Sequence, residues 1–281
     1  MASLSIDLQT KFDNLLKKIA TYEKAVIAFS GGLDSGFLLY SAIKALGHEN
    51  IMAITGESES FAKNEKDFAS QFAASLGLGD RYLVIKTDEL SDERYTSNPI
   101  DRCFYCKRIF FGKLREIAVQ NDFNYILDGC NASDIYDHRP GRRAATQFSV
   151  QSPLLDVGLV KNEIREIAKS EHLEIWNKPQ TACLASRIPY GERITAEKLA
   201  MIEQAERCLR ELGFRQMRVR HHDKIARIEL EKQDIGRILD DDLRRKIIDR
   251  FREIGFLWVT LDLKPFKTGS MNIIIKDSRN D

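Results

Sequence analysis

The stretch Ala25–Ser35, AVIAFSGGLDS, decides how the first half of this chain folds. Its first five residues are apolar, which predicts a buried strand, and an apolar-rich helix is expected to follow it. The two adjacent glycines allow tight backbone conformations and the close approach of an anion. Ser30 and Ser35 offer hydroxyl donors, and the first amides of the helix point at the same spot. The sequence therefore predicts an anion-binding loop between a strand and a helix.

Asp34 refines this prediction. A carboxylate beside a bare phosphate is repulsive, so its position in the loop favours Mg²⁺ held between Asp34 and bound phosphates. The loop lacks the GxxxxGK[ST] pattern of P-loop kinases and GTPases, which disfavours transfer of a γ-phosphate. The alternative is a plain strand–turn–helix in which the two glycines only serve the turn.

Three further apolar runs and a weaker fourth alternate with amphipathic segments. Strands that are apolar on both faces and separated by helices predict a parallel sheet covered on both sides. We predict an α/β domain over residues 1–180. Its strands are expected at Ala25–Phe29, Ile51–Thr55, Tyr82–Lys86, Tyr125–Leu127 and Val150–Leu155, and its helices at Asp34–Leu46, Phe61–Leu76, Phe104–Gln120 and Lys161–Ser170.

The pattern changes after residue 180. Residues 178–193, KPQTACLASRIPYGER, have no clean period and predict a long loop. The order that follows is helix, strand, strand, helix, strand, which suits a small α+β domain over residues 181–281. These elements are expected at Thr195–Leu212, Met217–His221, Ala226–Glu231, Asp234–Ile254 and Leu257–Leu263.

Bulk properties exclude several classes of protein. The 281 residues include 43 Lys+Arg and 42 Asp+Glu, so no overall charge attracts nucleic acid or a membrane surface. No apolar run is long enough to span a bilayer, and the first 24 residues have the pattern of an amphipathic helix rather than a signal peptide. Five cysteines, an odd number, favour free thiols in the cytoplasm.

The SGGLDS loop resembles the SGGxDS motif of the PP-loop ATP-pyrophosphatases, which have an adenine nucleotide α-hydrolase-like fold. The resemblance implies that ATP is cleaved between its α- and β-phosphates and that AMP passes to a substrate. Residues after neighbouring strands should join the site, because ligands of such sheets lie at the carboxyl ends of the strands. The implied ATP and pyrophosphate site is Ser30, Gly31, Gly32, Leu33, Asp34, Ser35, Thr55, Glu57, Ser60 and Gly129, with Asp128 and Asn131 nearby. Lys107, at the expected start of a helix near the nucleotide, is a further candidate to hold a phosphate.

Four other segments narrow the family. They are CFYCK at 103–107, DGCNASDIYDHRPGRRAA at 128–145, PQTACLASRIPYGERIT at 179–195 and RQMRVRHHDKIARIEL at 215–230. Together they resemble the LarE family of ATP-dependent sacrificial sulfur transferases, and ACLASR is the most discriminating part. The resemblance implies action on pyridinium-3,5-biscarboxylic acid mononucleotide, in biosynthesis of the nickel-pincer cofactor of lactate racemase. It also implies a trimer-based homo-oligomer.

Cys183 is the candidate sulfur donor by that resemblance. A thiolate is the nucleophile expected to attack an adenylylated carboxylate and expel AMP. Breaking the Cβ–S bond would then leave a thiocarboxylate on the substrate and dehydroalanine in the protein. If the stretch is helical, Arg187 faces Cys183 and lowers the pKa of its thiol. The alternative for Cys183 is a buried small residue.

Arg218 and Arg220 alternate across Val219, so both should face one side of a strand. With Arg187 they are the candidate substrate-binding residues, suited to a phosphate or carboxylate. The alternative is a pair of solvated edge charges. Glu206 and Glu229 on the same face are candidates for a second metal or for a base. The Arg139–Arg143 cluster fits either a phosphate clamp or ordinary surface.

The remaining cysteines fit several roles. Cys103 and Cys106 form a CxxC, which is half of a zinc site, a redox pair at a helix start, or a structural or substrate-lining pair. Cys130 and Cys208 are expected to pack.

Three other functions stay open on the residues alone. They are a tRNA thiolase that carries a cysteine persulfide, an NAD⁺ synthetase-type amidating enzyme, and an ATP-binding regulatory module without turnover. The balanced charge argues against the first, because RNA binding normally needs a basic surface.

Overall fold

The computed structural model describes residues 4–136 and 140–267. The chain divides into two compact units. The first unit comprises Met1–Glu89 and Asp101–Thr181, and the second comprises Leu90–Ile100 and Ala182–Asp281. Arg139 of the Arg139–Arg143 cluster lies outside the described residues.

The α-helices are α1 (Ile6–Ala20), α2 (Leu33–Leu46), α3 (Lys63–Ser75), α4 (Glu93–Thr96), α5 (Arg102–Gln120), α6 (Gly141–Gln147), α7 (Pro153–Asp156), α8 (Lys161–Ser170), α9 (Ala196–Glu211) and α10 (Asp241–Ile254). Short 3-10 helices occupy His48–Asn50, Gly79–Arg81, Glu89–Ser91, Ala132–Tyr136, Glu174–Asn177, Leu184–Arg187 and Ile235–Leu239. No described helix has the length and apolar character needed to cross a bilayer.

The first unit contains a four-stranded, all-parallel sheet, which confirms the predicted α/β class. Its strands are β1 (Ala25–Ala28), β2 (Ile51–Glu57), β3 (Tyr82–Lys86) and β4 (Tyr125–Leu127), in the order β3-β2-β1-β4. Ala25 at the start of β1 pairs with Ile51 on one side and Tyr125 on the other.

The expected fifth strand at Val150–Leu155 is wrong. Gln151 makes a single parallel bridge to Leu127, and α7 begins two residues later at Pro153. A proline has no backbone N–H to continue a ladder, whereas its fixed φ suits the first position of a helix.

Helices cover both faces of this sheet. On one face, Phe12 of α1 and Phe37 of α2 are fully buried, with ring centroids 5.7 Å apart, in the same cluster as Ile27. On the other face, Val26 packs in a second cluster with Phe111 of α5. Successive residues of β1 therefore pack into two hydrophobic cores on opposite faces of the sheet, which is why the strand is apolar throughout.

The second unit is α+β, as predicted. Its mixed sheet has the order β5-β6-β7, with β5 (Met217–His222) antiparallel to β6 (Ile225–Leu230) and β6 parallel to β7 (Trp258–Leu261). Phe214, Phe251 and Phe256 form the centre of its core with residues of α9 and α10.

The predicted helix Asp234–Ile254 is two elements. A 3-10 helix over Ile235–Leu239 ends at Asp240, whose backbone is extended. The Asp240 carboxylate accepts a hydrogen bond from the Leu243 amide at 2.8 Å and so caps the start of α10. An aspartate favours this capping position, which explains the break.

Leu90–Ile100 belongs to the second unit, which chain order did not indicate. Asn98 is fully buried there, and its side-chain amide donates to the carbonyls of Pro189 (2.7 Å) and Glu192 (3.0 Å). This segment thus fixes the loop that follows Arg187.

Candidate functional site

The Ser30–Ser35 loop links β1 to α2 as the sequence predicts. The Ser30 amide donates to Ser35 Oγ at 3.2 Å, and the two hydroxyl oxygens lie 3.0 Å apart. Gly31 has a φ of +70°, and Gly32 occupies the N-cap position without capping the helix through a side chain. The amides at the start of α2 therefore remain suited to an anion.

Two glycines make this loop possible by their lack of a side chain. A Cβ on Gly31 would lie 2.8 Å from Ala69 Cβ of α3. A Cβ on Gly129, just after β4, would lie 2.7 Å from the Ser35 amide nitrogen and 2.9 Å from the Asp34 carbonyl carbon. The end of β4 is thus packed directly against the backbone of the loop.

Gly129→Ala should destabilise the protein by roughly 1–3 kcal/mol, because the added methyl meets backbone atoms that cannot turn away. The same clash should weaken ATP binding, measured by calorimetry. Gly112→Ala is the matched control, since its Cβ would meet Phe148 at an ordinary 3.7 Å. Equal ATP affinity in Gly129→Ala and wild type would contradict this account of the loop.

Lys178 braces the loop, and sequence reasoning missed it. Its ammonium donates to the Gly31 carbonyl at 2.8 Å, pairs with Glu65 at 2.9 Å, and lies 3.6 Å from the centre of the Phe68 ring. Burial lowers the pKa of Lys178, although Glu65 opposes this effect. The sequence offers no signal for this role, because Lys178 lies in the stretch 178–193, which has no regular period.

A cleft of about 320 Å³ opens beside this lysine. Its lining residues are Asn64, Glu65, Phe68, Glu174, Asn177, Lys178 and Pro179. Near the same loop, Lys161 Nζ lies 3.5 Å from Asp34 Oδ2. The structure therefore places two lysines at the loop, one at the Gly31 carbonyl and one at the Asp34 carboxylate.

The residues predicted after neighbouring strands lie in different environments. Thr55 is buried, donates to the Phe29 carbonyl at 2.8 Å, and so ties the end of β2 to the residue before the loop. Ser60 is buried and shares a hydrogen bond with Ser58 at 2.9 Å. Glu57 forms an ion pair with Lys66. Among these three side chains, Thr55 therefore has a hydrogen bond to the residue that precedes the loop.

The side chains of Asn131 and Lys107 also lie in different environments. Asn131 is fully buried, and its Nδ2 has no hydrogen-bond partner in the described part of the chain. A buried amide in that state is suited to a ligand. Lys107 lies on α5, with its ammonium 5.0 Å from the centre of the Phe111 ring. In the Arg139–Arg143 cluster, Arg143 lies over the Phe104 ring at 4.6 Å.

Cys183 belongs to the second unit and is exposed. It precedes the 3-10 helix Leu184–Arg187, so the expected helical pairing of Arg187 with the thiol does not form. Instead Arg187 Nη1 donates to the carbonyls of Ala182 (2.6 Å) and Cys183 (2.9 Å). Arg187 therefore holds the backbone of the cysteine.

The three candidate substrate-binding arginines, Arg187, Arg218 and Arg220, are buried, not solvated. Arg187 pairs with Glu206 through two hydrogen bonds of 2.9 and 3.0 Å, and Arg220 pairs with Glu229 through two of 2.9 and 2.7 Å. Arg220 Nη1 also donates to the Ser186 carbonyl at 2.9 Å. Both predicted metal carboxylates are thus engaged by guanidinium groups, and the described residues contain no group of three or more His, Cys, Asp or Glu that could hold a metal.

Arg218 lies next to these two pairs and is only 7% exposed. Its Nη1 donates to the Met217 carbonyl at 2.7 Å, and its guanidinium lies 5.0 Å from the centre of the Phe266 ring. Burial, together with the charge of Arg187, lowers the pKa of Arg218 to about 10. The three guanidinium groups outnumber the two carboxylates by one, and this excess of buried positive charge is suited to an anionic ligand.

Arg187→Ala should destabilise the protein by about 3–5 kcal/mol, because it leaves the Glu206 carboxylate buried without its partner. Chemical denaturation measures the loss. Arg207→Ala on the same helix as Glu206 is the control, since its pair with Glu211 is exposed and should contribute at most about 1 kcal/mol. Similar losses in the two variants would contradict the assigned importance of the buried pair.

The same pair gives a pH dependence. Burial alone would raise the pKa of Glu206, but Arg187 outweighs it, and the folded pKa lies below the ordinary 4.5. The pair's contribution is therefore present above pH 4.5 and is lost as the pH falls through the folded pKa. Glu206→Gln should show a weaker loss of stability in that acid range than wild type.

The sequence of this chain is similar to the sequences of known proteins. The model of the NAD synthase family matches residues 7–100, which include the loop and the first three strands. The pyridinium-3,5-bisthiocarboxylic acid mononucleotide synthase of Lactiplantibacillus plantarum is 36% identical, over 94% of this chain and 95% of that protein. The chain belongs to the LarE family.

Other relatives differ in how much of the chain they match. An uncharacterized protein of Synechocystis is 38% identical over 95% of the chain and 99% of its own length. A glutamine-hydrolyzing GMP synthase chain of Pyrococcus abyssi is 26% identical over only 67% of the chain and 64% of its own length. Similarity to the LarE synthase thus extends over nearly the whole chain, whereas similarity to the GMP synthase is partial.

Proposed function

We propose that the chain is an ATP-dependent sulfur transferase that converts the carboxylates of pyridinium-3,5-biscarboxylic acid mononucleotide to thiocarboxylates, in biosynthesis of the nickel-pincer cofactor. The observation that carries the proposal is the 36% identity, over nearly the full length of both chains, to a synthase of the bisthiocarboxylic acid mononucleotide. The exposed Cys183 within ACLASR and the SGGLDS loop supply the two halves of the chemistry.

The first half is adenylylation. A substrate carboxylate attacks the α-phosphate of ATP, and pyrophosphate leaves into the Ser30–Ser35 loop, where the amides at the start of α2 stabilise its charge. Asn131 Nδ2, buried beyond β4, is a further donor available to the nucleotide. Lys178 keeps the Gly31 carbonyl turned toward itself, which orients the loop.

Mg²⁺ fits this loop. Asp34 offers an oxygen ligand in the first turn of α2, and Mg²⁺ in phosphate sites is commonly held by one or two carboxylates together with the phosphates. Asp34 would hold it, and the ion would neutralise charge on the departing pyrophosphate.

Asp34→Asn should lower pyrophosphate release by about a hundred-fold or more, since the amide keeps the shape but loses the charge that holds Mg²⁺. A coupled pyrophosphate assay at several Mg²⁺ concentrations measures this. Asp80→Asn, at an exposed position of the same unit, is the control. Wild-type release at every Mg²⁺ concentration would remove Asp34 from the mechanism.

The second half is sulfur transfer. The Cys183 thiolate attacks the acyl carbon of the adenylate and expels AMP, which gives a thioester. A base then takes the Cα proton, the Cα–H electrons form a Cα=Cβ double bond, and the Cβ–S bond breaks toward sulfur. Sulfur leaves on the substrate as a thiocarboxylate, and residue 183 becomes dehydroalanine.

The three buried arginines of the second unit are proposed to bind the substrate. Arg218, Arg220 and Arg187 provide the positive charge that the mononucleotide's phosphate and carboxylates require. The two glutamates orient Arg187 and Arg220, because Glu206 and Glu229 each hold one guanidinium by two hydrogen bonds. Arg187 also fixes the Cys183 carbonyl, so substrate binding and the nucleophile share one support.

The mass of the protein tests this function. After reaction with ATP and substrate, the chain should be lighter by one hydrogen sulfide, with the change mapped to residue 183 by peptide mass spectrometry. Cys183→Ser should still release pyrophosphate but transfer no sulfur, because the serine side chain has no sulfur atom to donate. Cys130→Ser is the matched control and should behave as wild type.

Two other outcomes would contradict the proposed sulfur transfer. Many turnovers per protein with an external sulfur source, and no change of mass at residue 183, would show a persulfide carrier of the kind that tRNA thiolases use. Failure to release pyrophosphate with any carboxylate substrate would instead favour a regulatory ATP-binding module.

A further inference from the structure

The CxxC pair, Cys103 and Cys106, takes no part in the proposed sulfur transfer. Both residues lie in the first turns of α5, where Cys103 is exposed and Cys106 is half-buried. Positions three apart on a helix have Cβ atoms roughly 5–6 Å apart. A disulfide needs about 3.5–4.5 Å, so a modest adjustment of the first turn brings the two sulfur atoms into bonding distance.

A buried carboxylate lies against the inner thiol. Glu89 is 4% exposed, and its Oε1 accepts hydrogen bonds from Cys106 Sγ at 3.5 Å and from Thr87 Oγ1 at 3.0 Å. Its Oε2 is buried and has no hydrogen-bond partner within residues 4–136 and 140–267. Burying a carboxylate in this way costs free energy, which no ion pair among the described residues offsets.

The outer thiol lies at the positive end of a helix. The first turn of α5 contains no acidic residue, and Asp101 at the N-cap position makes no capping hydrogen bond through its side chain. The helix dipole at such an end stabilises an anionic sulfur. The two cysteines therefore have different surroundings, one suited to attack a disulfide and the other placed beside a base.

We propose that Cys103 and Cys106 form a dithiol–disulfide couple that exchanges with small disulfides, with Glu89 as the base that deprotonates Cys106. The Cys103 thiolate attacks the external disulfide, forms a mixed disulfide and releases one thiolate. Glu89 takes the Cys106 proton, and the Cys106 thiolate attacks Cys103 Sγ. The Cys103–Cys106 disulfide forms and a second thiol leaves, so two cysteine thiols are oxidised and one disulfide is reduced to two thiols.

A metal role is less well supported. A zinc site needs four ligands, and no group of three or more His, Cys, Asp or Glu able to hold a metal occurs among the described residues. The couple also needs neither ATP nor the mononucleotide. Its test is therefore independent of the proposed sulfur transfer.

The experiment uses the full chain carrying Cys183→Ser, so that the proposed donor cannot contribute. The protein is equilibrated with mixtures of reduced and oxidised glutathione, quenched by alkylation, and mapped by peptide mass spectrometry. A disulfide between Cys103 and Cys106 should form. With Cys106→Ser the reaction should stop at a glutathione adduct on Cys103, whereas Cys130→Ser, as the matched control, should still form the internal disulfide.

Glu89→Gln should slow ring closure by about a hundred-fold, so that the glutathione adduct on Cys103 accumulates. Absence of the Cys103–Cys106 disulfide at every glutathione ratio would overturn the couple. Closure at the wild-type rate in a folded Glu89→Gln protein would overturn the role of Glu89. The cysteine variants test whether the Cys103–Cys106 disulfide forms even if Glu89→Gln does not fold.

Discussion

The first unit depends on the contact between the end of β4 and the backbone of the Ser30–Ser35 loop. It exists because residue 129 has no side chain to keep the Ser35 amide away. The strand order β3-β2-β1-β4 means that the chain leaves β1 for one side of the sheet and later returns to its other side. Ligands of open α/β sheets bind at such a switch point. The glycine contact and the strand order thus both indicate the Ser30–Ser35 loop, after β1, as the place where a ligand would bind.

The second unit presents a different constraint, which is buried charge. The whole chain carries a formal net charge of +1, yet three arginines and two glutamates are buried together on α9, β5, β6 and the short helix after Cys183. Buried ion pairs seldom stabilise a fold more than apolar residues of the same volume would. The two ion pairs hold guanidinium groups in fixed orientations, which agrees with the proposal that these arginines bind an anionic substrate.

Local patterns in the sequence were sufficient to predict the strand–loop–helix arrangement around Ser30–Ser35, the first four strands and the α+β order of the second unit. Each of these depends on residues adjacent in the chain, such as SGGLDS between a buried strand and a helix. Features fixed by distant contacts were missed. Lys178 lies far from Gly31 in sequence, and Asn98 reaches carbonyls about ninety residues away. The Arg187 side chain contacts the backbone and not the Cys183 thiol because residues 184–187 form a short 3-10 helix. The i, i+4 spacing of an α-helix does not predict this arrangement.

Arg187 holds residue 183 through hydrogen bonds to the main-chain carbonyls of Ala182 and Cys183 rather than through the cysteine side chain. Because that side chain is exposed, removing its sulfur opens no cavity. Arg187, Glu206 and the carbonyl of residue 183 would keep their contacts after the proposed reaction. A spent molecule would therefore stay folded and be no better a target for chaperones or proteases than a fresh one. The supply of active donor would then be set by new synthesis of the chain, and spent molecules would accumulate beside active ones.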